Sequence, residues 1–88
     1  MKHLTRKEID NGDFEFGSLL KETNVEDVGG LRLWFAQKNW VVENTQVDET
    51  SYYICCEMNE FCNVECLHTE NLVEACKAFN IILETMKA

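Results

Sequence analysis

The sequence has no proline, and from Asn39 to Cys76 it has no lysine or arginine. Without proline there is no stiff linker, and no low-complexity tract or internal repeat divides the chain. Residues 1–88 therefore read as one small domain, with room for a modest core but not for a core and a deep cleft together. No apolar run approaches the roughly 18 residues of a membrane span. The opening MKHLTRKEID carries no apolar stretch of the kind that secretion signals use. The expectation is a cytoplasmic chain with no membrane contact and with reduced cysteines.

Two further absences bear on chemistry. No C-x-x-C pair occurs, so the paired knuckles that usually bring thiolates around zinc are missing. No glycine-rich phosphate loop occurs either; Gly29-Gly30 lacks the rest of the motif. Five cysteines are present, an odd number that fits free thiols better than a complete disulfide framework. Cys56, Cys62, Cys66 and Cys76 fall at core-facing positions, as small apolar residues often do. Cys55 falls on the outer face and is the expected exposed thiol. His68 is the one histidine near them, while His3 lies near the chain start in solvent. The surroundings are acidic, which disfavours a thiolate nucleophile. We therefore expect no enzyme activity, no metal site and no cofactor.

What the chain does have is acid. Net charge is −8. Residues 1–38 nearly balance, with six basic and seven acidic residues, and the last twelve carry a net +1. The segment between holds Glu43, Asp48, Glu49, Glu57, Glu60, Glu65, Glu70 and Glu74 with no opposing cation. Such a field repels nucleic acid and draws in basic surfaces. Hydrophobic content of 45% nevertheless argues for a folded core rather than disorder.

The clearest elements lie between Ser51 and Met86. Tyr52, Ile54, Cys56 and Met58 alternate with Tyr53, Cys55 and Glu57, as do Cys62, Val64, Cys66 and His68 with the residues between them. Matching the apolar sets predicts a hairpin with a three-residue turn, Asn59-Glu60-Phe61. Met58 then opposes Cys62, Cys56 opposes Val64, Ile54 opposes Cys66, and His68 lies opposite Tyr52. Thr69 is the expected cap of a helix whose stripe is Leu72, Ala75, Cys76, Phe79, Ile82, Leu83 and Met86.

Upstream, Thr5-x-x-Glu8 is a capping box for a short helix over 6–10, and Phe14 and Phe16 suggest an edge strand. Residues 17–27 have no clear pattern. Leu31, Leu33 and Phe35 alternate and predict a strand with Trp40-Val41-Val42-Glu43 as its return; a helix over 25–38 is the competing reading, weakened by two adjacent glycines. Residues 45–50 read as loop. The predicted class is α+β: a three- to four-stranded antiparallel β-meander with a C-terminal helix packed on one face and a short N-terminal helix.

On this register Tyr53, Glu57, Glu65 and Leu67 share the outer face, and Glu43, Asp48, Glu49 and Glu60 sit at turns or strand ends. Acids two apart on one strand face stand about 6.6 Å apart, near the spacing of phosphates along a nucleic-acid strand. The expectation is a non-enzymatic acidic domain that binds a protein with a basic surface, through these eight residues and without contacting nucleic acid itself. Its sharper form is an inhibitor mimicking nucleic acid on a nuclease or other nucleic-acid-binding protein, of anti-restriction or anti-CRISPR type. The alternatives are a small regulatory or accessory module with a solvated acidic face and, third, a cysteine-based zinc or redox module. An acidic edge strand disfavours pairing of two copies edge to edge.

Overall fold

Four strands in simple meander order carry the structure. The computed structural model describes residues 5–12, 14–60 and 63–88. Strands β1 (Ser18–Val25), β2 (Gly29–Ala36), β5 (Ser51–Met58) and β6 (Val64–Thr69) form one antiparallel sheet in the order β1-β2-β5-β6. Two short strands, β3 (Val41–Val42) and β4 (Thr45–Gln46), form a separate hairpin between β2 and β5. Helix α2 (Leu72–Lys87) follows β6, and a six-residue helix α1 (Arg6–Asn11) precedes the sheet. The α+β class is thus observed. No helix among the described residues is long and apolar enough to cross a membrane.

Alternation places Leu31, Leu33 and Ile54 on one sheet face, where they close on Ala75, Phe79 and Met86 of α2. The opposite face has its own core of Ala36, Tyr53 and Cys55 under Val42 and Val47 of the β3–β4 segment. This second core is what the sequence did not reveal. The sheet is covered on both faces, by the helix on one and by the small hairpin on the other.

Strand β2 confirms the alternating reading of 31–35 against the helical one, and both glycines have a reason. A Cβ on Gly29 would lie 1.9 Å from the Glu57 carbonyl oxygen, and one on Gly30 would lie 2.5 Å from the Arg32 guanidinium. The return of β2 is β5, however, and Val41–Val42 pairs with Thr45–Gln46 instead. Residues 18–25 are a strand, and Phe14 and Phe16 lie outside any strand. Both rings join Phe35, Tyr52 and Trp40 in a ring cluster at one end of the sheet. The cap of α2 is Asn71, whose side chain accepts from the Glu74 amide at 3.1 Å. Thr69, expected there, is the last residue of β6 and pairs with Tyr52.

Candidate functional site

Strand β6 is one residue out of the expected register. Ile54 pairs with Leu67, Cys55 with Cys66, Cys56 with Glu65, and His68 with Tyr53. A slip of one residue exchanges every side chain between faces. The expected turn pairing through Phe61 and Cys62, and His3, lie outside the described residues. The physical reason is the second core: Val64 and Cys66 pack toward Tyr53 and Cys55 beneath the hairpin, not toward the helix.

The consequences for the cysteines are direct. Cys55, expected as an exposed thiol, is fully buried and bonded to Cys66 in a disulfide, so these two are not reduced. Cys56 and Cys76 are free thiols. Burial pushes the Cys56 thiol above its ordinary range; nearby Arg32 opposes the shift and Glu65 adds to it. A protonated, half-buried thiol beside a carboxylate is a poor nucleophile. Among the described residues no three His, Cys, Asp or Glu side chains are grouped to hold a metal ion.

The eight candidate binding residues divide into five groups. Glu43 is not a surface acid. It sits at positive φ beside Asn44, also at positive φ, in the two-residue turn of the β3–β4 hairpin. One carboxylate oxygen accepts from Arg32 Nε at 2.7 Å and pairs with Nη2 at 2.5 Å, and the other accepts from the Trp34 indole N–H at 2.5 Å. Glu43 therefore clamps the hairpin to β2. Tyr53, expected as an exposed anchor, is buried; its hydroxyl donates to the Glu49 carbonyl at 2.9 Å and its ring stacks on His68.

Asp48 and Glu49 lie at the β5-start end of the sheet, Asp48 exposed and the Glu49 carboxylate 2.8 Å from His68 Nδ1. Glu57 and Glu60 lie at the other end. Glu65 and Leu67 are exposed on the helix side, so Glu57 and Glu65 do not share a face.

The structure gathers acids that the sequence keeps apart. Gly29 pairs with Met58, and the Asn59 amide donates to the Val28 carbonyl at 2.8 Å. The β1–β2 turn and the start of the β5–β6 loop are therefore neighbours. Glu26 and Asp27 of the first turn join Glu57 and Glu60 at one end of the sheet, with Glu22 one cross-strand pair from Arg32. Arg32, embedded among them, is held by Glu43, and the fields of Glu57 and Glu22 help raise its pKa after that hydrogen bond and against desolvation. Glu22, Glu26 and Asp27 were missed because nothing local links residue 26 to residue 60.

A second feature lies beside β6. A groove of about 510 Å³ runs between this strand and α2, lined in part by Ile54, Leu67, Thr69, Glu74 and Ala78. Leu67 and Ile81 are 64% and 67% exposed. Comparison with family models, with curated proteins and with solved structures finds no match.

Proposed function

We propose that this chain is a non-enzymatic, acidic protein-binding domain acting on a partner with a basic surface. The observation that supports it best is the convergence of Glu26, Asp27, Glu57 and Glu60 at one end of the sheet, where the nearby cation Arg32, paired across β1 with Glu22, is already bonded to Glu43. Such an end attracts basic partners and repels nucleic acid. In its sharper form the partner is a nuclease or another nucleic-acid-binding protein, and the acidic end occupies its nucleic-acid site, as an anti-restriction or anti-CRISPR inhibitor would. Glu57 and Glu65 face opposite ways and so form no phosphate-spaced row on one strand face.

The test is charge reversal. Glu26→Lys, Glu57→Lys and Glu60→Lys combined should abolish capture of the partner while leaving the circular dichroism spectrum unchanged, since none of these side chains lies in either core. Capture undiminished by the triple reversal would overturn the proposal in favour of an accessory module whose acidity only keeps it dispersed.

A further inference from the structure

Among the described residues strand β6 is the last of the sheet, with β5 on one side and no strand on the other. Two observations show which backbone groups it leaves unpaired. The Asn59 amide donates across to Val28, so by alternation the odd-numbered residues of β5 bond toward β2 and the even-numbered ones toward β6. Independently, Cys55 and Cys66 have Cα atoms 4.1 Å apart, the close spacing of a pair that exchanges no backbone bonds. The N–H and C=O groups of Val64, Cys66 and His68 therefore point away from the sheet.

The opposite edge is guarded. Strand β1 carries a break in register between Leu19 and Lys21, and a bulge and a lysine both disfavour strand addition. Strand β6 has an unbroken six-pair register and neither device.

Beside this open edge lies the groove against α2, with exposed Leu67 and the carboxylate of Glu74. Glu65 stands on the same strand face as Leu67, two residues away. We infer that β6 and this groove take an extended basic-apolar segment of the partner, added as a fifth strand. Main-chain bonds to Val64, Cys66 and His68 would supply affinity, and alternate side chains would supply specificity. Residues two apart on such a segment stand about 6.6 Å apart on one face, so an apolar side chain over Leu67 would be flanked by cations reaching Glu65 and Glu74. A second copy of this chain is the poorer occupant, because it brings acids to acids. The inference deepens the protein-binding reading above and rests on it.

The test uses the full chain and a blocked peptide, TKTVTKT, whose two lysines and valine share a face, with TETVTET as control. Hydrogen exchange followed by NMR should show the Val64, Cys66 and His68 amides exchanging fast alone and at least tenfold slower with saturating TKTVTKT. Those of Glu65 and Leu67, bonded to β5, should be protected throughout. TETVTET should protect nothing. His68→Pro removes an outward donor and leaves the β5 ladder intact, and should weaken binding tenfold or more. Leu67→Lys keeps the Glu49–His68 contact and should do the same.

Binding without protection of the three amides, equal binding of TETVTET, or protection that grows with protein concentration alone would each overturn the inference, the last by assigning the edge to a second copy. No binding of TKTVTKT would overturn it too. If a basic partner is still captured and lost on charge reversal of the acidic end, the protein-binding reading stands without this edge. If capture also fails, that reading falls with it.

Discussion

Glu43 shows how far a residue's role depends on its partners. A glutamate at positive φ is unfavourable by about 1 kcal/mol, and it is offset here by bonds to Arg32 and the Trp34 indole. Both charged side chains are less than one-fifth exposed. Glu43→Gln should therefore cost about 2 kcal/mol in urea unfolding, with a shift in Trp34 emission as its indole loses the carboxylate. A change below about 0.5 kcal/mol would show that Glu43 does not clamp the hairpin.

Cys56 and Tyr52 make a pH prediction. Burial pushes both pKa values up from their ordinary 9.0 and 10.0, with Cys76 adding to the shift at Tyr52. The folded chain then holds these protons to higher pH than the unfolded chain does. Their contribution is complete below the ordinary values and fades as pH rises through the raised ones. Thermal stability should fall as pH rises above 9, and less steeply in a Cys56→Ala/Tyr52→Phe variant. Alkylation of Cys56 should likewise be slow at neutral pH and faster in Glu65→Gln.

At the scale of elements, the long periodic segments were legible in the sequence and the short ones were not. Helix α2 and strand β5 have apolar residues at unambiguous spacing because each packs against the main core, whereas the spacing in β2 also admitted a helix, weakened by Gly29 and Gly30. Strand β1 is an edge whose outer half, Lys21 to Val25, is half-exposed to exposed, so its alternation is blurred by polar residues on both faces. The β3–β4 hairpin has two residues per strand and a Glu43-Asn44 turn without glycine, too little for any periodic signal. Missing that hairpin meant missing the second core, and with it the reason for Val64 and Cys66 to face away from the helix.

The candidate site suffered the same way. Its acids could be counted in the sequence, but which of them meet depends on which turns are neighbours. The disulfide belongs to this scale as well. It closes a sequence separation of 11 residues between paired strands, and chain entropy gives it roughly 3 kcal/mol. The Cys55→Ala/Cys66→Ala variant should lose about that much in denaturant titration. Intact protein alkylated without reductant should show these two cysteines unmodified; both modified would contradict the pairing.

The whole molecule is a four-stranded sheet with a core on each face, an acidic end and one open edge. Its asymmetry of charge is a property of the fold: cations lie mainly in the first half of the sequence and in α2, while the two neighbouring turns carry acids. Association with a basic partner should be fast at low salt and slow steeply as ionic strength screens the field over about 10 Å. The most direct measurement is capture from a lysate of the native cells on immobilised protein, repeated across a salt series and with added duplex DNA, beside the Glu26→Lys/Glu57→Lys/Glu60→Lys variant. We expect one nucleic-acid-binding protein that is released by salt, displaced by DNA and absent from the variant. A partner indifferent to salt, DNA and charge reversal would contradict it.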